Sequence, residues 1–145
     1  MISIKEVKTK SELKAFVKFP FQLYKDSKYW VPPIISEELK TFSKKENPVF
    51  NDAEATLFLA YRNNEIVGRV AAIINWLEVK DQALKKMRFG WFDFIDDFEV
   101  SKALFNKIEE IGRSHSLEYT EGPIGFSNLD KVGVMTEGFE TIAPM

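Results

Sequence analysis

The sequence predicts a mixed α/β (α+β) domain, and three observations carry that prediction. Two β-type runs between Ala55 and Asn75 flank the pair Asn63-Asn64. Val100, Ala103, Leu104, Ile108 and Ile111 fall on one face of a helix. The chain has 145 residues, 45% of them hydrophobic and thirteen of them Phe, which is enough apolar side chain for one packed core.

Taken in order, Ile2, Ile4 and Val7 alternate roughly with polar residues and predict a first strand ending at Lys8-Thr9-Lys10. Ser11 is the expected N-cap of the next element, where Leu13, Phe16 and Val17 lie at helical spacing. Pro20 lacks an N–H, so it ends this helix or starts a second turn through Phe21, Leu23 and Tyr24; one broken helix is expected. Tyr29-Trp30-Val31-Pro32-Pro33 cannot be helical, because each proline drives the preceding residue to extended geometry. Ser36-Glu37-Glu38 opens a short helix, acidic groups at the positive end of its dipole, running to about Lys44 and closed by Asn47-Pro48.

Thr56 to Tyr61 and Ile66 to Ile74 then read as strands around a tight turn, since Asn tolerates the positive φ that a two-residue hairpin demands. Gly68 weakens its strand for no local gain, so a bulge or a large group packed over it is expected. Lys80 to Lys86 reads as a polar, mobile connection, and Arg88 to Ile95 as a strand rich in aromatics, ended by Asp96-Asp97. The helix through Val100 is expected to stop at Gly112, and Leu117 to Thr120 to form a last strand running into Glu121-Gly122-Pro123. After Phe126, up to the final Ala143-Pro144-Met145, neither helical nor strand period is present. With no repeat, low-complexity tract or dividing linker, residues 1–145 read as a single domain.

Several function classes fall away. Twenty basic and twenty-two acidic residues without a long run of either sign leave no electrostatic footprint for nucleic acid or a membrane. The start of the chain does not read as a signal peptide, and the apolar run from Ile66 to Leu77 is too short for a membrane span and contains Arg69. Zero Cys removes thiolate chemistry and fits a reducing compartment, so a cytoplasmic location is expected. His115, the one histidine, has no second ligand at binding spacing, and no metal is expected. Gly-x-Ser-x-Gly, phosphate-loop and dinucleotide fingerprints are missing. Phe89, Trp91, Phe92 and Phe94 lack surrounding cations and read as core, not as a base-stacking platform.

The order strand, helix, helix, hairpin, strand, helix, strand resembles the GNAT (Gcn5-related N-acetyltransferase) fold. Tyr29-Trp30-Val31-Pro32-Pro33, Asn47-Pro48 with Ala53-Glu54-Ala55, Ile66 to Ala72, Phe92 to Asp97, and Glu121-Gly122-Pro123 with Glu137-Gly138-Phe139 sharpen it. Together they resemble a poorly characterised bacterial family of GNAT-like N-acetyltransferases or acyltransferases, over nearly the whole chain. The resemblance implies a mostly antiparallel, twisted sheet with flanking helices. A complete GNAT domain continues past its fifth strand with a helix and two strands, so the resemblance implies an N-terminal part that is inactive in isolation. The sheet edge thus exposed would invite pairing with a second copy.

The resemblance also implies acyl-CoA or acetyl-CoA as co-substrate and a small-molecule or peptide amine as acceptor. In this fold the pyrophosphate rests on amides where the fourth strand meets the third helix, in a loop of the form Arg/Gln-x-x-Gly-x-Gly/Ala. Here the place reads Phe94 to Ser101, with no glycine and with the carboxylates Asp96, Asp97 and Glu99. Such groups satisfy the helix start themselves and repel a pyrophosphate, so Asp96 or Asp97 is the expected cap, and CoA would need altered contacts through Arg88 or Lys102. Direct attack by the amine requires a proton acceptor and a strand amide to polarise the carbonyl. The implied candidates are Asp93 and Glu121 as bases, Tyr119 as acid toward the thiolate, and the backbone around Phe92 to Phe94 for the carbonyl. Arg69, in an apolar strand, lies on an exposed face or pairs with a carboxylate or ligand. The alternative is a non-catalytic GNAT-like module that has lost the pyrophosphate loop. A splayed gap between the fourth and fifth strands would favour CoA insertion, and a continuous ladder would count against it.

Overall fold

A computed structural model describes residues 1–142; the final Ala143, Pro144 and Met145 lie outside the described residues. The elements are β1 (Ser3–Glu6), α1 (Lys10–Leu23), α2 (Ile35–Thr41), β2 (Ala53–Arg62), β3 (Glu65–Asn75), β4 (Lys86–Phe94), α3 (Phe98–Ser114) and β5 (Tyr119–Glu121). A 3₁₀ turn at Pro48–Asn51 and a π-type turn at Leu77–Asp81 join them. The strands form one five-stranded sheet in the order β1-β2-β3-β4-β5, antiparallel except for β4 with β5.

Each face of the sheet carries a core. Phe58, Val70, Ala72, Ile74 and Met87 pack with Val100, Leu104 and Ile108 of α3, while Leu57, Leu59, Ala71, Ile73 and Trp91 pack with Phe16, Val17 and Phe42. β3 is therefore apolar on both faces, which accounts for its unbroken hydrophobic run. The hairpin turn is as expected: Asn63 and Asn64 have φ of 49° and 65°. Both reasons given for Gly68 hold. The β2–β3 register shifts beside it, and a Cβ at Gly68 would stand 3.0 Å from side-chain carbons of Val100 and Leu104.

Five local expectations are corrected. Thr9, not Ser11, caps α1: its hydroxyl accepts from the Glu12 amide at 3.1 Å while Glu12 accepts from the Thr9 amide at 3.0 Å. That reciprocal box needs its acidic partner three residues after the cap, which Glu12 supplies for Thr9. α1 also runs unbroken through Pro20. The α2 helix ends at Thr41, not near Lys44, because Asn47 Nδ2 donates to the Thr41 carbonyl at 2.8 Å. Gly112 lies inside α3, where a Cβ would come within 3.1 Å of Met87 Sδ, and the left-handed residue after the helix is Ser116, with φ of 56°. Gly112 is thus a close-packing glycine, not a stop signal. Part of the connection from Lys80 to Lys86 also belongs to regular structure, the π-type turn held by Gln82 N to Leu77 O at 3.1 Å. Among the described residues, no helix is long and apolar enough to cross a membrane.

Leu104 is fully buried where α3 crosses the hairpin. Leu104→Ala is expected to cost about 2–5 kcal/mol of stability in urea unfolding, whereas Thr9→Ala should cost about 1 kcal/mol.

Candidate active site

A bulge in β4 organises the site. Ala71 pairs with Gly90 and Arg69 with Asp93, so two steps along β3 meet three along β4. The extra residue lies at Trp91-Phe92, and Trp91 takes a φ of 47°, unusual for so large a side chain. Paired residues share a face, so the bulge is what turns Asp93 toward α1; with a regular strand it would face α3. On its other edge β4 pairs with β5 only over Lys86 to Arg88, extended by one bond from Ile124 N to Phe89 O at 2.9 Å. Beyond Phe89 no strand lies on that edge among the described residues. The ladder is thus continuous in its first half and open in its second.

A cleft of about 540 Å³ occupies the open half. Trp91, Phe92 and Asp93 of β4, Pro123 and Lys131 line it, with the extended segment Trp30 to Pro33 as the facing wall. Trp30 is fixed by packing on Phe21 and Tyr24, with ring centroids at 5.1 and 5.4 Å.

Two polar networks border the cleft. In the first, Arg69, 5% exposed, donates to Asp93 Oδ2 through Nε at 2.9 Å, and its Nη2 stands in ion-pair contact with the same oxygen at 2.8 Å. Its Nη1 donates to the Phe16 carbonyl at 2.9 Å. That carbonyl is available because Pro20, four residues on, has no N–H to offer it. The Tyr24 hydroxyl donates to Asp93 Oδ1 at 2.6 Å, and burial together with the neighbouring carboxylate raises the Tyr24 pKa well above the ordinary tyrosine range. A carboxylate has about four lone-pair sites, so these donors leave one on Oδ1 for a ligand or water. In the second network Glu38, also buried, accepts from Trp91 Nε1 and from Lys131 Nζ, each at 2.7 Å. Lys131 stands over the Trp91 ring at 5.1 Å.

The other candidate residues are dispersed. Phe92 lines the cleft and packs on Phe94 and Phe105, each with centroids at 4.8 Å, whereas Phe94 belongs to the core under α3. Arg88 is buried in a structural cluster: it pairs with Glu78, and it donates to the Gly125 carbonyl at 3.3 Å and to Asn128 at 2.7 Å. Burial opposes the charge on Glu78, yet the bonds from Arg88 and Lys86 prevail and hold its pKa below the usual range. Glu121 is bound at 2.7 Å by Lys86. Tyr119 lies opposite Lys86, seven residues before Asp93 along β4, or about 20 Å at strand rise. Lys102 is exposed on α3. Asp93 and Phe92 therefore meet in the cleft, and Tyr119, Glu121, Arg88 and Lys102 do not join them. Tyr24, Glu38 and Lys131 were not singled out from the sequence. The only local hint was Pro20 inside an apolar helical pattern, a sign of a carbonyl seeking a donor.

No protein-family model matches the chain. In fold it is similar to a predicted acetyltransferase of Clostridium acetobutylicum solved with acetyl-CoA, with a TM-score of 0.58 at 15% identity, covering 90% of this chain and 84% of that one. A tandem GNAT protein from the clavulanic acid biosynthesis pathway superposes with a TM-score of 0.60 at 11% identity, over 79% of this chain and 34% of that protein. The chain has the GNAT fold. In sequence this GNAT-fold chain is 33% identical over 141 residues to the bacterial ceramide synthase of Caulobacter vibrioides, covering 97% of the chain. The chain spans only 37% of that relative's length.

Arg69→Met should cost about 3–5 kcal/mol in urea unfolding, because it strands the Asp93 charge and the Phe16 carbonyl; Tyr24→Phe should cost about 1.5–3 kcal/mol. Since the Glu78 pKa is lowered from 4.5, its contribution is fully present above that value and fades as the pH falls through the lowered one. Glu78→Gln should be less stable at neutral pH and should lose less of its remaining stability than the parent as the pH is taken below 4.5 in calorimetry.

Proposed function

We propose that the chain carries the transfer site of an N-acyltransferase, in which an amine attacks an acyl thioester in the cleft beside the β4 bulge. The observation that carries this reading is the joint presence of an open strand edge, backbone released by the bulge at Trp91-Phe92, and the Asp93 carboxylate in one cleft. The bulge lets an amide in the Phe92 to Phe94 stretch polarise the thioester carbonyl. The nitrogen attacks, the C–N bond forms, and Asp93 accepts the amine proton on the free site of Oδ1. As the C–S bond breaks, that proton passes to the departing thiolate, and Asp93 is ionised again. Arg69 and Tyr24 hold the carboxylate in place between turnovers.

The acyl-transferase class is supported by the solved GNAT neighbours. The finer reading of an apolar acyl chain or a long-chain amine draws on the wall formed by Trp30, Val31 and the two prolines, and on a relative named as a ceramide synthase, since a ceramide is the amide of a long-chain amine. A second reading, a GNAT-fold module without catalysis, draws on the helix start of α3, where Asp97 stands as cap.

Thiol release from acetyl-CoA and dodecanoyl-CoA, measured with sphinganine and with short amines, tests the proposal. Release that depends on the amine is expected, with Asp93→Asn reducing kcat by about 10²–10⁴-fold. Absence of amine-dependent release with every pair would leave the non-catalytic module standing.

A further inference from the structure

The start of α3 is closed to a diphosphate. The Asp97 side chain accepts from the Glu99 amide at 2.8 Å, and the Asp97 carbonyl accepts from the amides of Val100 and Ser101 at 3.1 and 3.3 Å. The Asp97 amide is itself spent on the Ile95 carbonyl at 2.7 Å. The Ser101 bond is the first regular turn of the helix, so of the four amides that this helix start offers an anion, three, those of Asp97, Glu99 and Val100, have acceptors within the chain. Arg62 at this mouth is committed as well: it donates to Asp97 at 2.8 Å and to Glu99 at 3.1 Å. Asp96, Asp97 and Glu99 outnumber Arg62 and the Met1 ammonium, which stands 3.9 Å from Glu99, and Phe98, 93% exposed, puts an apolar ring where a phosphate would approach. Farther down β4 the situation reverses. The edge beyond Phe89 has no partner strand among the described residues, and the cleft beside it is lined with Trp, Phe and Pro. An extended chain bearing amides and ending in an apolar acyl group fits such an edge, whereas a nucleotide diphosphate does not fit the helix start.

We infer that the acyl donor is recognised through its acyl-pantetheine arm alone, with no site at α3 for the nucleotide diphosphate of CoA. The inference rests on the acyl-transfer reading and narrows it to one class of donor, an acyl-pantetheine thioester, whether it arrives on CoA or on a carrier protein. The Asp97 cap, held by Arg62, excludes the diphosphate that this fold otherwise receives there.

Titration calorimetry of the protein with dodecanoyl-CoA, S-dodecanoyl-pantetheine and a dodecanoyl carrier protein tests this. The two small donors should bind with Kd values within about threefold of each other, and the Kd for the CoA form should not rise as salt is raised from about 50 to 500 mM. Tighter binding of the carrier-protein form would mark that protein as the donor's source, and equal binding would mark CoA; both accord with recognition of the arm alone. Asp97→Asn keeps a good cap while removing the charge, and should shift preference toward the CoA form by a fewfold. CoA binding about tenfold or more tighter than pantetheine in the parent protein, weakening with salt, would overturn the inference and leave acyl transfer intact. Failure of all three donors to bind would overturn the transfer reading and this inference with it.

Discussion

The buried guanidinium of Arg69 is the contact on which the site depends. Removing such an ion from water costs several kcal/mol unless its donors are all placed well. Here the placement begins with a proline. Pro20 sits mid-helix without an N–H, Phe16 keeps a free carbonyl, and Arg69 reaches across from the sheet to take it. The same guanidinium binds Asp93 on the next strand, and Asp93 in turn receives Tyr24 from the end of α1. One buried cation thus ties helix to hairpin to β4, and it fixes the carboxylate at the floor of the cleft.

On either side of the sheet, the carboxylates divide into two kinds. Glu78 and Glu121 spend their charge on Arg88 and Lys86, bracing the paired half of β4. Glu38 and Asp93 stand at the open half, each joined to one aromatic donor and one cation; Asp93 lines the cleft itself, and Glu38 holds Trp91 and Lys131, which line it. The division follows from where β5 stops. Where the ladder is complete, ionic groups lock it; where it lapses, they face a cavity.

Much of this was legible in the sequence where the signal is local. The Asn63-Asn64 turn, the apolar face of α3 and the acidic cap at Asp97 depend on spacings of a few residues, and each is found as the pattern indicates. Gly112 misled because the reason for a glycine there is Met87, on a strand distant in sequence. Ser11 misled by two residues because the cap was decided by Glu12. The site was harder to read. Glu38 and Lys131 are 93 residues apart and Tyr24 and Asp93 are 69 apart, and no periodicity brings such pairs together. Asp93 was visible as a carboxylate on a strand, but the bulge that turns it toward Arg69 was not, since Trp91 carries no sequence mark of a positive φ.

That bulge also polices the sheet. Side chains alternate across a strand, so sliding β4 by one residue against β3 would carry Asp93 to the face occupied by Leu104 and Ile108 and set an aromatic ring before the Arg69 guanidinium. Both ions would then be buried without partners, a penalty that adds to the loss of apolar contact. A hydrophobic strand pair such as this one could otherwise tolerate several alignments. The ion pair favours the single alignment that also opens the cleft, so that the register of the sheet and the geometry of the cleft depend on the same two side chains.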